Sequence, residues 1–432
     1  MVFRLFRKSL RLSLMNGGRP EMDVTALSSD SRSDPPSATP AAASGDQPAA
    51  VLLPRPRRTG PRLDLLFLGD IDFGETYQAV RADKGEENVL TSRGYDDALA
   101  NLRGLVSVAD FAIANLETPV TGLAMPENSA EAHYQHRADP ALAPLHLARN
   151  RVSAVSIANN HVLDCGIAGL EDTLRSLDAE GIHRFGAGRN ADEAGRPLIL
   201  ELGGGTRPLR LAVFTGYAAR PDSPALEPGD GVRPSSLDPA DVAARLATLR
   251  AKYPDLLAVA FPHWGPNYGW RSVRQRELAK GLLDAGIDLI LGHGAHCLQE
   301  IHRRSGRWVV YGLGNFVFNS PGRYRRMKSP PFSLAARLVA RPRPDGWLVT
   351  LRLYPIVSDN RITDYRPRFT TEDEFDQVRE MLVARSRGAP IGEGRDRHGR
   401  YLKLRVQRPP KADAGAVTPE AVGTARPNAA PA

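Results

Sequence analysis

Five short polar clusters, each directly after an apolar run of strand length, set the strongest constraint on how this chain folds. They are Gly69-Asp70-Ile71-Asp72, Asn115-Leu116-Glu117, Asn159-Asn160-His161 with Asp164, His263-Trp264-Gly265 and Gly292-His293-Gly294-Ala295-His296. Carboxylates, carboxamides and imidazoles delivered by strand ends are the donor set that holds hard or borderline divalent cations and activates water. The expected product is a layered scaffold whose strand ends meet at a metal site, as in a metal-dependent hydrolase.

The runs themselves cover residues 63–68, 111–114, 152–158, 209–215, 256–261 and 287–291, mostly apolar at every position, as strands covered on both faces are. Helical spacing fills residues 95–106, 169–180, 239–252 and 276–285, with Gly181 and Gly286 as stop signals. Alternation of strand and helix predicts an α/β fold with several strand ends on one rim. Runs at 308–311, 333–339 and 347–354 follow one another without helices, which predicts an antiparallel portion.

A formal charge of +8 suggests a nucleic-acid binder, but much of the excess lies at residues 4–11, 55–62 and 395–411. Basic ends of this kind are solvated termini, and no specific nucleic-acid partner is expected. Residues 16–60 lack aromatic side chains and are rich in Ser, Pro and Ala, too little apolar surface to offset the entropy of ordering. The chain therefore divides into a disordered leader (1–60), one domain (61–370), and a C-terminal helix with a basic disordered tail (371–432). Cys165 and Cys297 are the two cysteines, which excludes a disulfide framework. Each follows a candidate site residue, but both are expected to be small buried apolar side chains. No run approaches the roughly 18 apolar residues of a membrane span, and a cytoplasmic protein with at most peripheral membrane contact is expected.

Residue chemistry sharpens the site. Asn115 and Glu117 share one face of a strand, with Leu116 turned into the core. Two carboxamides and an imidazole at the end of an apolar strand need partners if buried. There an Asn carbonyl can coordinate a cation, His161 can donate a proton, and Asp164 can hold the His161 tautomer. His293 and His296, three apart with small residues between them, suit Zn, Mn or Fe. Asn159, together with Asn315 in the glycine-rich loop after residue 311, is a candidate substrate contact. Arg323 and Arg325, in the basic run 323–328, are able to recruit a phosphate or polycarboxylate.

In this order the motifs resemble the capsule-synthesis protein CapA family, also called poly-gamma-glutamate biosynthesis proteins, which is similar in fold to calcineurin-like metallophosphoesterases. The resemblance is carried by Gly69-Asp70, Asn115 to Pro119, Ala158 to His161 with Asp164 and Gly166, His263-Trp264-Gly265 with Tyr268, Gly292-His293 with His296 and Gln299, and Tyr311 to Phe316. It implies a four-layer α/β/β/α sandwich of metallophosphoesterase type with two divalent metals, Mn, Fe or Zn. It also implies Asp70, Asn115, Glu117, Asn160, His263, His293 and His296 as ligands, and His161 as proton donor. The implied role is in capsule or poly-gamma-glutamate-type polymer biosynthesis, as a hydrolase of a phosphoester or a gamma-glutamyl amide working beside a ligase-like polymer synthase. The alternative is a non-catalytic accessory that binds the anionic polymer. Two positions depart from the family pattern: Gly294-Ala295-His296 stands where His-Pro-His is usual, and Asn267 where Glu is common.

Overall fold

Strand Leu63–Asp72 is buried along its whole length, and its side chains sort by parity. Leu65 and Phe67 enter a core shared by two sheets, whereas Leu66 and Leu68 enter a core shared with helices. Successive side chains on a strand point to opposite faces, so a run that is apolar at every position is covered on both sides. The second sheet repeats the pattern. Leu211, Val213, Leu257, Val259 and Phe261 meet the first sheet, while Ala212, Phe214, Ala258 and Ala260 meet helices. The result is the expected α/β/β/α sandwich.

The structure, a computed structural model, describes residues 51–52, 62–124, 135–203, 208–219, 231–344 and 346–406. One sheet runs, in spatial order, through Val51–Leu52, Leu198–Leu202, Leu209–Tyr217, Leu257–His263, Leu289–Leu291, Arg307–Val310 and the edge strand Ile301–Arg304. The other pairs Leu63–Asp72 in parallel with Phe111–Leu116, which in turn pairs with Ala154–Ser156. On its other side the same strand meets Phe332–Arg343 antiparallel, and that strand forms the expected hairpin with Gly346–Val357. Outer helices are amphipathic. Gly166–Ala179 buries Leu170, Leu174 and Leu177, and Pro239–Lys252 buries Val242 and Leu246 behind an Asp238 cap. The helix expected over 95–106 is instead a 3-10 turn at Tyr95–Leu99 followed by a short helix at Arg103–Ser107.

Two domain boundaries move. Helix Glu372–Arg385 is present, but after it Gly392–Asp396 and Gly399–Val406 form a hairpin that extends the sheet beside Gly346–Val357. Leu402, Leu404 and Val406 enter the inter-sheet core. The arginines that gave this segment the look of a tail pair locally, Arg395 with Glu372 and Arg400 with Glu372, Asp376 and Glu393. Val51–Leu52, within the expected leader, pairs with Ile199 and Leu200. Residues 1–50, 53–61 and 407–432 lie outside the described residues. Among the described residues no helix is long and apolar enough to cross a membrane.

A buried ion pair braces the antiparallel half. The Arg337 guanidinium lies 2.8 Å from Asp64 Oδ2, both side chains almost fully buried, and the part-buried Arg62 reaches the same oxygen at 2.9 Å. Removing one partner of such a pair leaves a charge stranded in the interior. Arg337→Met is expected to lower the unfolding free energy by about 3 kcal/mol in denaturant titration; an unchanged midpoint would show the pair to be dispensable.

Candidate metal centre

By simple alternation, residue 70 would face the helices along with Leu66 and Leu68. A register shift against Phe111–Leu116 between Phe67 and Asp70 reverses the parity. Ile71 joins Leu66 and Leu68 in the helix-side core, and Asp70 turns to the second sheet, where the Gly294 N–H donates to both its carboxylate oxygens at 3.1 Å. Gly69 permits the kink, since a Cβ there would lie 1.7 Å from the Gly314 carbonyl, which accepts the Asp70 N–H at 3.0 Å. Asp70 stands opposite Asn115 on one neighbouring strand and Asn315 on the other. In the second sheet His263 bridges to His293 in parallel. Leu116 is buried in the helix-side core between Asn115 and Glu117, as alternation requires.

The hydrogen bonds around these groups point ring lone pairs at one another. His293 Nε2 lies 3.1 Å from the Phe261 carbonyl, so it donates there and leaves Nδ1 as an acceptor, 3.3 Å from the Asp70 carboxylate and 3.3 Å from His263 Nδ1. His263 Nε2 meets Asn160 Oδ1 at 2.8 Å, again donor to acceptor. Donors bound about 2.1 Å from one tetrahedral ion stand about 3.4 Å apart, which is the spacing seen here. Asp70, His263 and His293 form one buried donor group, and Asp70, Glu117 and His296 form another. Glu117 Oε1 lies 3.7 Å from His263 Nε2, 3.8 Å from His296 Nε2 and 3.9 Å from His161 Nε2. This buried set of carboxylates and imidazoles is compatible with divalent metal binding.

Other expected site residues surround it. Asn159 holds Asn115 Oδ1 at 3.1 Å and the Leu116 carbonyl at 2.8 Å. Asn115 therefore presents its amide nitrogen to the cluster, 2.9 Å from Asp70 and 3.3 Å from His263. His161 Nδ1 lies 2.8 Å from Asp164. Burial, reinforced by the charge of Asp72, pushes the Asp164 carboxyl up to about 7. Asn315 Oδ1 meets His296 Nδ1 at 2.9 Å, so it orients an imidazole. Arg323 lies against Tyr268, whose ring packs 5.3 Å from His296. Arg325 is exposed on the short helix Tyr324–Met327 and makes none of these contacts. Cys165 precedes helix Gly166–Ala179, whereas Cys297 packs with Tyr268 and Tyr324; both are free and buried.

Sequence reasoning passed over His136. Its Nδ1 lies 2.5 Å from Asp72, its backbone N–H donates to Asp164 at 2.7 Å, and its ring meets His161 edge-on at 4.0 Å. It follows no apolar run, so no local pattern marks it. Asp72, expected beside Asp70, is instead engaged by His136 and by the Gly74 N–H at 2.8 Å.

Two predictions follow from this packing. At Gly294 φ is +91°, and a Cβ would lie 2.8 Å from the His263 ring. Gly294→Ala is therefore expected to weaken metal retention about tenfold, measured as metal per purified chain; parental content would show that His263 tolerates the displacement. The second concerns Glu75, whose carboxyl is pushed from 4.5 up to about 8 by burial and by the charge of Asp72. Between those values the folded chain keeps a proton that the unfolded chain has released, so this group costs stability as pH rises across that window. Glu75→Gln should flatten the fall of melting temperature between about pH 4.5 and 8; an unaltered slope would exclude Glu75 as its source.

Residues 64–320 match the family model described as bacterial capsule synthesis protein PGA_cap. The PGA biosynthesis protein CapA of Bacillus subtilis (strain 168) is 29% identical over 273 residues, covering 60% of this chain and 63% of its own. A relative described as a probable polyglutamine synthesis accessory protein, from Mycobacterium tuberculosis (strain ATCC 25618 / H37Rv), is 30% identical over 304 residues, covering 68% of this chain and 76% of its own. Among solved structures, a phosphatase of Mycoplasma pneumoniae aligns with 74% of this chain and 99% of its own at 12% identity, with a TM-score of 0.37. With more than half of its length matched by the model, the chain belongs to the bacterial capsule synthesis protein PGA_cap family.

Proposed function

We propose that this chain is a divalent-cation-dependent hydrolase of the cytoplasm, acting in the biosynthesis of a poly-gamma-glutamate-type anionic polymer. Its target bond would be a phosphoester or a gamma-glutamyl amide, and a ligase-like polymer synthase would be its partner. The observation that carries the reading is the His161–Asp164 pair set beside Glu117, in a cluster of buried donors that share Asp70. The names of the relatives, one for PGA biosynthesis and one for polyglutamine synthesis, support the polymer.

Asp70, Glu117, Asn160, His263, His293 and His296 would hold a pair of ions, with Asp70 common to both; Mn, Fe or Zn suits mixed imidazole and carboxylate donors. Bound there, divalent cations supply Lewis acidity toward a scissile oxygen and acidify a water. The chain's own groups position and transfer protons. Asp164 anchors Nδ1 of His161, so Nε2 is the atom turned to Glu117. From there a proton would pass to the leaving oxygen or nitrogen. Asn159 accepts the His161 backbone N–H at 3.0 Å and clamps Asn115, which fixes where that ring stands. Arg323, near Tyr268, would attract the anionic substrate.

Metal analysis of the purified protein, joined to phosphodiester and gamma-glutamyl amide assays before and after chelation, tests the reading. About two ions per chain and turnover that is lost on chelation and restored by Mn, Fe or Zn are expected. His161→Ala should keep its metal while kcat falls about 10²–10⁴-fold, whereas His263→Ala should lose metal. The accessory reading would replace this one if no ester or amide is turned over while a glutamate polymer still binds the His161→Ala protein.

A further inference from the structure

Apart from the donor cluster, the edge of the seven-stranded sheet carries a cavity of about 750 Å³. Its walls come from edge strand Ile301–Arg304, helix Val273–Asp284 and residues 386–390, which follow helix Glu372–Arg385. Arg271, Arg276, Lys280, Arg303, Arg304 and Arg387 line it, and among the described residues no Asp or Glu does. Acids at its margin offset part of this charge: Glu277 lies 3.7 Å from Arg276, Asp284 2.7 Å from Lys280, and Glu300 accepts the Arg271 backbone N–H at 3.0 Å. The balance stays positive.

Two buried nitrogens in the cavity wall have no hydrogen-bond partner, Nε of Arg271 and Nε2 of His302. Both side chains pack on Tyr311, the guanidinium 5.4 Å from the ring centre and the imidazole edge-on at 5.3 Å. Buried polar groups are normally paired, so the unpaired Arg271 Nε–H in a cationic cavity marks a place for an acceptor. His302 is held below its ordinary pKa by burial and by the charge of Arg271, which is the direction a positive potential imposes.

We infer that this cavity is a second, non-catalytic anion site that holds a stretch of several carboxylates from an anionic polymer. Cations contributed by separate elements suit repeated charges, and the volume falls in the range of about 300–1,000 Å³ that accommodates ligands of many atoms rather than a single inorganic anion. The cavity stands on its own geometry; the polymer as its occupant rests on the capsule reading above. The chain passes from His296 of the metal cluster to His302 of the cavity in six residues, so the two sites lie within about 20 Å of one another. One long ligand is able to occupy both.

Fluorescence anisotropy with a labelled gamma-linked glutamate oligomer, using the full chain at low ionic strength, tests this. Arg276→Glu combined with Arg304→Glu alters two exposed side chains. The double variant is expected to bind the oligomer at least about tenfold more weakly, with metal content and chelator-sensitive turnover unchanged. His263→Ala is expected to keep oligomer binding. Parental affinity in the charge variant, or binding lost in His263→Ala but not in the charge variant, would overturn the inference, as would displacement of the oligomer by an equimolar amount of pyrophosphate. Oligomer binding by a parent that turns over neither the gamma-glutamyl amide nor a phosphodiester would instead sink the hydrolase reading and leave the cavity assigned.

Discussion

The carboxylate of Asp70 joins the two halves of the sandwich, and the rim is organised around its burial. A fully buried carboxylate loses its hydration, and only charges or donors placed close to it can offset that loss. Here they come from both sheets. Asn115 Nδ2 approaches from the neighbouring strand, the Gly294 N–H donates from across the gap, and His293 and His296 stand 3.3 and 3.7 Å away. At position 294 the chain supplies a backbone donor and an empty Cβ position, and the space goes to the His263 ring.

Behind this rim lies a second layer of acids and imidazoles on the side of the ten-stranded sheet. Asp72, Glu75, Asp164, His136 and His161 are linked through contacts of 2.5 to 4.0 Å or through their charges. Crowding of carboxyls in a poorly hydrated region raises the pKa of some so that others stay ionised. Glu75 and Asp164 are the two pushed upward. In that environment Asp164 fixes the orientation of His161. The cationic cavity at the edge of the seven-stranded sheet gives the chain complementary features, a donor-rich centre and a positive groove.

Much of the architecture was legible locally. The runs beginning at Leu63, Phe111, Leu209 and Leu257 are mostly apolar because both faces of each strand are covered, and the shared face of Asn115 and Glu117 follows from period two alone. Where charge masked periodicity the reading failed. Leu402, Leu404 and Val406 alternate as a strand should, yet Lys403 and Arg405 between them, with Arg400 just before, looked like a solvated tail. The basic run at 323–328 drew notice because its charges are contiguous, although Arg325 is exposed on its short helix. The cavity cations, scattered over positions 271 to 387, left no trace in any window.

The amino-acid sequence by itself determined which segments are strands, which faces they bury, and that polar donors follow their ends, because these depend on spacing within a few residues. Tertiary structure decided which donors meet. The parity reversal at Gly69 depends on close approach of the Gly314 backbone, the pairing of His263 with His293 on register in the second sheet, and the arrival of His136 on a loop with no periodic signature. These are contacts between residues tens to hundreds of positions apart. Their geometry is set by how two sheets pack, which no local pattern encodes.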